Sequence, residues 1–512
     1  MNTISEQIIT LPINPERHHG APRHIIIATW CWVISVSILI LMSHTGLVTM
    51  IHGILALYCL IIILFRPLRE APFPLLLVTM GPNENLIFLT ALLFFMRALF
   101  SGKIYLAKNT SGYLFIFLLI VIISSTLFSY ATVQFKPVQT IFWAVTLLIP
   151  LTLSVMSYKL ATDGNALSKY AIMLISLQLL PIIAAIPENL NTGSSDVFGG
   201  TWLDADIVGF WGTALMMGSG LLLSMGKHSC LDKRKLLLIT LTGAILAAAA
   251  SGKIYSVFII VTGLLFFVTS TEFIQGLLHG KAKSVLFLLF GGLGLFLAFS
   301  AISGNLEAIK TWAGYQFEHS HKIVFLNKVF NQMDDYGYSD MLGVGPGMLG
   351  SRAANAVSAD VLHKEQIHLP QSIQGAPAPE ARIMAGLFDK EFQEQVRYMS
   401  ANIVIPFSGI GAMKAELGWL GLIVIIGLFV VIFWPKVRFS RINRSLNISM
   451  VTVMVSLAGL STIFLAIFET SWEQPKIMVA LSVLLIALNG KSMNTLQGST
   501  NNQHTARTGD LE

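Results

Sequence analysis

Long apolar runs, separated by short polar segments, dominate this chain. Most runs extend for about 20 residues, the length that a helix needs to cross a bilayer. We therefore predict a series of transmembrane helices. The predicted spans are 24–42, 47–65, 86–101, 112–131, 138–157, 169–186, 203–226, 236–251, 254–270, 283–301, 411–434, 447–468 and 475–489.

An odd number of spans conflicts with the two chain ends, both of which look cytoplasmic. Pro72, Pro74 and Pro82 interrupt the apolar stretch at 71–101. Because proline disrupts a helix interior, a half-helix or an extra hairpin is expected there, and either one restores the parity. The predicted total is therefore about 12–14 spans.

Composition agrees with a membrane protein, since 54% of residues are hydrophobic and 12% are charged. Soluble domains carry about 25% charged residues. The fold predicted is an all-α polytopic membrane protein with one large loop outside the bilayer. Its expected segments are a cytoplasmic tail at 1–23, a transmembrane domain at 24–301, the large loop at 302–410, C-terminal transmembrane helices at 411–489 and a disordered cytoplasmic tail at 490–512.

Basic residues concentrate in two short segments, 227–235 and 435–444. The positive-inside rule assigns both to the cytoplasm, and counting spans from either places 302–410 on the opposite face. Basic segments that orient the protein in the membrane therefore account for much of the net charge of +6, and we expect no nucleic-acid partner. The large loop contains no cysteine, which excludes a disulfide framework there.

A glycine-rich stretch, L-G-V-G-P-G-M-L-G-S-R at 342–352, invites a nucleotide-binding interpretation. A Walker loop requires Gly-Lys-Ser/Thr, whereas Gly350 precedes Ser351 and Arg352. The G-x-G-x-x-G match lacks the surrounding strand and helix that give that motif its function. A tight turn at the membrane interface is the plainer alternative.

The large loop also carries candidate chemistry. It has eight Lys/Arg residues, eleven Asp/Glu residues and four histidines: His319, His321, His363 and His368. We expect His363 and His368 to be solvated histidines of the loop. The pattern at 383–399 predicts an amphipathic helix that lies on a membrane surface, covers a cleft or packs on the spans below.

Three motifs in order resemble those of the O-antigen ligase and polymerase (Wzy-type) superfamily. Ala-Ala-Ser-Gly-Lys at 249–253 breaks two apolar runs, and His-Ser-His-Lys at 319–322 precedes the glycine-rich stretch. Lys-Ala-Glu-Leu-Gly-Trp-Leu-Gly at 414–421 then opens a span. Gly-Gly-Thr-Trp at 199–202, with Asp206, is similar to a further family stretch. The resemblance covers roughly 195–435 and rests on motif order.

This resemblance implies a GT-C-like fold with a periplasmic loop and a metal-independent glycosyltransferase without a cofactor. Its donor is an undecaprenyl-diphosphate-linked oligosaccharide, so cations must stabilise charge on the leaving diphosphate and a base must deprotonate the acceptor hydroxyl. The implied site residues are Lys253, Lys322 and Arg352 for the diphosphate, His319, His321 and Glu416 for catalysis, and Gly343, Gly345 and Gly347 for the loop turn.

Two departures from the family pattern matter. Lys253 and Lys322 stand where the family usually has arginines, and lysine lacks the planar bidentate grip on phosphate. Phe407-Ser408 stands where ligases tend to have His-Asn, which favours a polymerase over a ligase.

Each candidate residue also has a structural alternative. Lys253 can snorkel to headgroups, Lys322 and Arg352 can be solvated charges, and Glu416 can stabilise a helix N-terminus.

The expected function is therefore an inner-membrane glycan polymerase with a periplasmic active face. Its expected partners are the lipid-linked oligosaccharide, the bilayer and a chain-length regulator. An O-antigen ligase or protein O-oligosaccharyltransferase of the same fold is the first alternative. A polysaccharide transporter or flippase is the second, although such a protein is expected to carry charges deep in many spans and to show two related halves.

Overall fold

The structure is a computed structural model that describes residues 20–106, 109–132, 137–158, 160, 162–192, 195–224, 230–249, 258–263, 321–349, 408–434, 445–467, 472 and 474–489. Helices make up most of this part of the chain. They are α1 (Arg23–Leu41), α2 (Thr45–Phe65), α3 (Pro72–Val78), α4 (Glu84–Phe100), α5 (Thr110–Thr132), α6 (Pro137–Trp143), α7 (Ile149–Val155), α8 (Gly164–Ser176), α9 (Leu179–Thr192), α10 (Ala205–Ser224), α11 (Cys230–Ala249), α12 (His321–Asn331), α13 (Gly409–Phe433), α14 (Leu446–Leu465) and α15 (Pro475–Asn489).

Eight helical segments among the described residues are long and apolar enough to cross a membrane. They are Arg23–Leu41, Thr45–Phe65, Thr110–Ala131, Pro137–Val155, Gly164–Thr192, Ala205–Leu223, Gly409–Phe433 and Leu446–Leu465. This confirms the predicted helical, multi-pass membrane protein. The predicted span at 283–301, most of that at 254–270, the amphipathic helix at 383–399, residues 1–19 of the N-terminal tail and the C-terminal tail at 490–512 lie outside the described residues.

The proline-interrupted stretch forms the expected half-helix. Helix α3 has seven residues, all of them buried, and begins with a proline, whose missing N–H is tolerated in a first helical turn. The chain then turns into α4, where the side chain of Asn83 caps the helix by accepting the N–H groups of Asn85 and Leu86. The ring of His52 lies 3.1 Å from the Val78 carbonyl oxygen and accepts the Asn83 N–H at 3.2 Å, which ties α2 to this turn.

Two predicted spans differ from single straight helices. The span at 169–186 is divided into α8 and α9, and α8 begins earlier because Asp163 caps the N–H groups of Asn165 and Ala166. The span at 138–157 passes through a π-helical turn, Ala144–Leu148. Pro150 follows this turn and has no N–H for the Thr146 carbonyl, so a wider turn relieves the clash.

A short antiparallel strand pair is the one sheet within the described residues. Strand β1 (Ile104–Leu106) follows α4, and β2 (Met156–Tyr158) follows α7. Their pairing, with Tyr105 opposite Ser157, shows that α4 and α7 finish at the same end of the bundle.

Candidate functional site

Helix α13 is broken at Gly418, which has φ +67° and ψ −169°. A residue in this conformation interrupts the α-helical hydrogen bonds on both sides, so carbonyl and N–H groups near the break need other partners. We call this position the helix break. The apolar residues before and after it remain helical, so the break lies inside a membrane-length helix.

The carbonyl groups before the break are bound by the glycine turn, which we define as residues 343–347. Val344 donates its N–H to the Ala415 oxygen at 2.9 Å, and Gly345 donates to the Glu416 oxygen at 3.0 Å. The two motifs that the sequence analysis singled out separately are therefore joined by backbone hydrogen bonds.

The N–H groups after the break are bound by the residues that precede the glycine turn. Trp419 donates to the Asp340 oxygen at 3.1 Å, and Leu420 donates to the Met341 oxygen at 3.4 Å. A Cβ atom at Gly418 would overlap the Met341 backbone. Only glycine therefore fits the helix break, because its φ is positive and the docked chain passes against it.

The three glycines of the turn have φ values of +71°, +106° and +78°. A Cβ atom at Gly345 would lie 2.5 Å from the Ser129 hydroxyl oxygen, and one at Gly347 would lie 2.7 Å from the Gln139 carbonyl oxygen. The turn is thus wedged between α13 on one side and α5 and α6 on the other, with no room for larger side chains.

Glu416 is fully buried beside this turn. Its Oε1 accepts the Leu349 N–H at 3.0 Å, and its backbone oxygen also accepts the Ser125 hydroxyl at 2.9 Å. The carboxylate therefore fixes the chain three positions before Arg352. These contacts fit a residue that positions the loop.

A buried lysine provides a second fixed point. Lys414 has no exposed surface and forms an ion pair with Asp340, whose side chain is 35% exposed. Its Nζ also donates to the Val329 oxygen at 3.4 Å and lies 5.2 Å from the centre of a Trp419 ring. Lys414 thus holds both α12 and the segment that enters the turn.

Helix α12 packs across the junction, the name we give to the glycine turn docked on the helix break. Phe330 meets Trp419 edge-on at 5.3 Å between ring centres, and Phe325, Val329 and Leu349 are buried in a small apolar cluster around the turn. Partial burial lowers the pKa of Lys328 in this helix.

The predicted site residues divide into three groups. Gly343, Gly345, Gly347 and Glu416 meet at the junction. His321 and Lys322 begin α12, although their side chains are not among those described, so the structure gives them no contacts. His319, Lys253 and Arg352 lie outside the described residues.

Ser408, the second residue of the Phe407-Ser408 pair, caps a helix. It is buried, and its hydroxyl accepts the Gly411 N–H at 2.9 Å, which caps α13. This is the local reason why α13 begins where it does.

Sequence analysis missed a second polar cluster, which we call the lysine cluster and define as Lys476, Asp204 and Glu84. The buried Lys476 Nζ lies 3.2 Å from an Asp204 oxygen, 3.9 Å from a Glu84 oxygen and 3.5 Å from the Trp202 carbonyl oxygen. A lysine directly after Pro475, at the start of an apolar run, was the available signal, because a charge in such a run needs a partner.

The Gly-Gly-Thr-Trp stretch connects this cluster to the half-helix. The Thr201 hydroxyl donates to the Met80 oxygen at 2.7 Å, and the Trp202 indole donates to the Thr79 oxygen at 2.7 Å. Gln178 accepts the Thr201 N–H at 2.9 Å. These bonds satisfy the carbonyl groups that the short α3 leaves open.

Both polar regions lie at one end of the bundle. Ile410, at the start of α13, donates its N–H to Ala466 at the end of α14, so these two ends are adjacent. Lys476 and Asp204 likewise join the starts of α15 and α10. The opposite ends of α10, α11, α13 and α14 flank the two basic segments.

In the part of the chain that the structure describes, no three His, Cys, Asp or Glu side chains are grouped to hold a metal ion. Compared with known proteins, the chain matches no family model, no curated protein and no solved structure.

Proposed function

We propose that this chain is an inner-membrane glycan polymerase. It transfers lipid-diphosphate-linked oligosaccharide units onto a growing polysaccharide such as a capsule, an exopolysaccharide or an O-antigen. The observation that carries the proposal is the docking of the glycine turn on the helix break. Two of the segments that resemble the polymerase superfamily, far apart in sequence, share two backbone hydrogen bonds, and the residues directly before the glycine turn add two more.

The junction supports the proposed chemistry by fixing where the loop segment that carries Arg352 leaves the bundle. Glu416 holds Leu349, after which the chain continues to Arg352. Lys322 begins the helix that packs on α13. Cations near this point stabilise the negative charge that develops on the diphosphate as the glycosyl bond breaks. His319 or His321 accepts the proton of the acceptor hydroxyl.

The orientation of the bundle supports a periplasmic active face. Both polar regions lie at the end opposite the helix ends that flank the basic segments 227–235 and 435–444. Since basic segments remain in the cytoplasm, the junction faces the other side of the membrane.

A ligase or a protein O-oligosaccharyltransferase is the alternative within the same enzyme class, and a flippase is the alternative from another class. Among the described residues, the buried ion pairs of Lys414 and Lys476 lie near helix starts at one end of the bundle. Charges distributed through the depth of many spans would favour a transporter.

Deletion of the gene distinguishes these activities. We expect single-repeat glycans in the deletion strain, measured by gel analysis of surface and lipid-linked glycans. Long unattached chains would instead identify a ligase, and lipid-linked units held on the cytoplasmic side would identify a flippase.

Single-site variants test the diphosphate assignment. We expect Lys253→Ala and Lys322→Ala each to abolish chain extension with normal membrane insertion, because the leaving diphosphate loses a compensating cation. Lys328→Ala, in the same helix as Lys322, is the matched control and should retain extension. Normal chain lengths in both site variants would contradict the assignment.

A further inference from the structure

Helices α2 and α4 end side by side. His52 in α2 accepts the Asn83 N–H directly before α4 begins, and Arg97 in the last turn of α4 donates to the Ile63 carbonyl oxygen near the end of α2. The two helices therefore run in the same direction. Because α4 begins at the lysine cluster, the ends of both helices lie toward the side of the bundle that carries the two basic segments.

Three basic side chains lie at these helix ends, and we call them the basic triad: Arg66, Arg97 and Lys103. Arg97 is partly exposed, and the exposed Arg66 directly follows α2, three residues after Ile63. The exposed Lys103 donates its backbone N–H to the Ala98 oxygen at 3.1 Å, because the chain folds back against the end of α4. The backbones of all three residues are therefore within about one helical turn of the contact between α4 and α2.

The basic triad has no carboxylate partner in the part of the chain that the structure describes. Glu70 is the one acidic residue in the sequence at 60–83 and 90–106, which holds four basic residues, so this surface is positively charged. An arginine has five N–H donors, and among the described residues Arg97 binds one acceptor, the Ile63 oxygen. Its other donors need acceptors from outside the protein.

Apolar side chains that face the membrane adjoin the basic triad. Phe65 is 80% exposed and Phe100 is 82% exposed, the highest values for large apolar side chains among the described residues. Leu57 and Ile61 continue the exposed face along α2, a helix of membrane-spanning length. Cations placed directly beyond lipid-facing apolar side chains match the two parts of a phospholipid, its phosphate and its acyl chains.

The charge of this surface selects an anionic phospholipid. An arginine binds two phosphate oxygens through its planar fork, and a lysine adds a point charge. Basic groups between membrane helices on the cytoplasmic side are a known means of binding lipid phosphates. A zwitterionic headgroup brings a cation of its own, which three positive charges repel. Free phosphate has no acyl chain to cover the apolar face.

We propose that Arg66, Arg97 and Lys103 bind the phosphate groups of an anionic phospholipid in the cytoplasmic leaflet. Phe65 and Phe100 contact its acyl chains next to the headgroup. The site is at the end of the bundle opposite the junction, so it does not rest on the proposed glycan polymerase activity.

Native mass spectrometry of the purified full-length protein tests this site. Cardiolipin, phosphatidylglycerol and phosphatidylcholine are titrated separately, and the Kd of the first bound lipid is measured. The wild type should bind both anionic lipids more tightly than phosphatidylcholine. Arg66→Gln and Lys103→Gln should each weaken cardiolipin binding by about fivefold, because each removes one cation near the headgroup. Their binding of phosphatidylcholine should not change.

Arg97 tests the geometry of the site as well as its charge. Arg97→Lys keeps the positive charge and loses the planar fork, so it should bind cardiolipin less tightly than the wild type and more tightly than Arg97→Gln. Should Arg97→Gln fail to fold without its bond to Ile63, the exposed Arg66→Gln and Lys103→Gln still decide the proposal.

Lys233→Gln is the matched control. Lys233 is also exposed and lies near the start of α11, at the same end of the bundle, but α11 packs on α10. This variant should bind cardiolipin like the wild type. Equal weakening in Lys233→Gln and Arg66→Gln would overturn the proposal, since it would show attraction to net charge alone.

Two further outcomes would also overturn the proposal. Equal binding of cardiolipin and phosphatidylcholine by the wild type would show that the headgroup charge is not recognised. Displacement of cardiolipin by an equal concentration of inorganic pyrophosphate would identify a soluble phosphate, not a lipid, as the ligand of the basic triad.

Discussion

The junction at the helix break and the lysine cluster solve the same problem in different ways. Both place polar groups among apolar helices, at the same end of the bundle. At the junction, four backbone hydrogen bonds and close glycine contacts join α13 to the glycine turn and to Asp340 and Met341 before it. In the lysine cluster, side-chain ion pairs join α15 to α10 and α4, and the Asp204 side chain is 29% exposed.

The junction therefore depends mainly on backbone conformation, whereas the lysine cluster depends on charge. Backbone bonds at the junction depend on the path of the chain, which only particular φ values allow, and they are insensitive to ionic strength. Ion pairs with a partly exposed partner depend on the solvent and are weakened by salt. Substitutions that alter the backbone should therefore disrupt the junction most. Changes in charge should affect both regions, because the junction also contains the Lys414–Asp340 ion pair.

The largest expected effect comes from Gly418→Ala. The new side chain would impose a left-handed strain and overlap the Met341 backbone, so the turn cannot stay docked. We expect a loss of at least about 3 kcal/mol in unfolding free energy, measured by thermal or denaturant unfolding in nanodiscs.

Gly427→Ala is the control for this substitution. Gly427 lies in the same helix, and a Cβ atom there meets nothing within 4 Å. Alanine favours a helix more than glycine does, so this variant should be unchanged or slightly more stable. Equal losses in both variants would show that the helix break is not what holds the turn.

The ion pair at the junction should give the next largest effect, and an asymmetric one. Asp340→Ala leaves the fully buried Lys414 without its carboxylate and should cost about 3–5 kcal/mol. Lys414→Met should cost clearly less, because the partly exposed Asp340 regains water. The same unfolding measurement checks both, and a larger loss for Lys414→Met would contradict the described burial.

Much of this fold follows from the sequence because bilayer length and hydrophobicity are local properties. The start of α1 and the end of α2 each lie within one residue of the corresponding predicted span bounds. The prolines at 72, 74 and 82 predicted the half-helix α3. The early start of α8, before the predicted span at 169–186, was missed because its cap depends on one side chain, Asp163, outside the apolar run.

The site was less predictable because its partners are distant in sequence. The glycines of the glycine turn and of Glu416-Leu417-Gly418 indicate unusual backbone conformations. Nothing in the local sequence shows that these two segments bind each other. Lys414 lies within the Lys-Ala-Glu-Leu-Gly-Trp-Leu-Gly motif, to which the resemblance assigns no role for it, although a charge in an apolar run already implies a partner. Its partner, Asp340, carries no pattern that singles it out.

The smallest expected effect tests the charge side of the comparison. In Asp204→Asn, the new amide oxygen can still accept from Lys476 at the position of the carboxylate, and the side chain is partly exposed. We expect a loss of about 1 kcal/mol or less in unfolding free energy at low salt. Because salt screens the lost attraction, the difference from wild type should shrink as ionic strength rises, whereas that of Gly418→Ala should not. Asp335→Asn, at an exposed position near the junction, controls for net charge and should show neither effect. If the loss of unfolding free energy in Asp204→Asn did not depend on salt, the lysine cluster, like the junction, would depend on backbone conformation instead of charge.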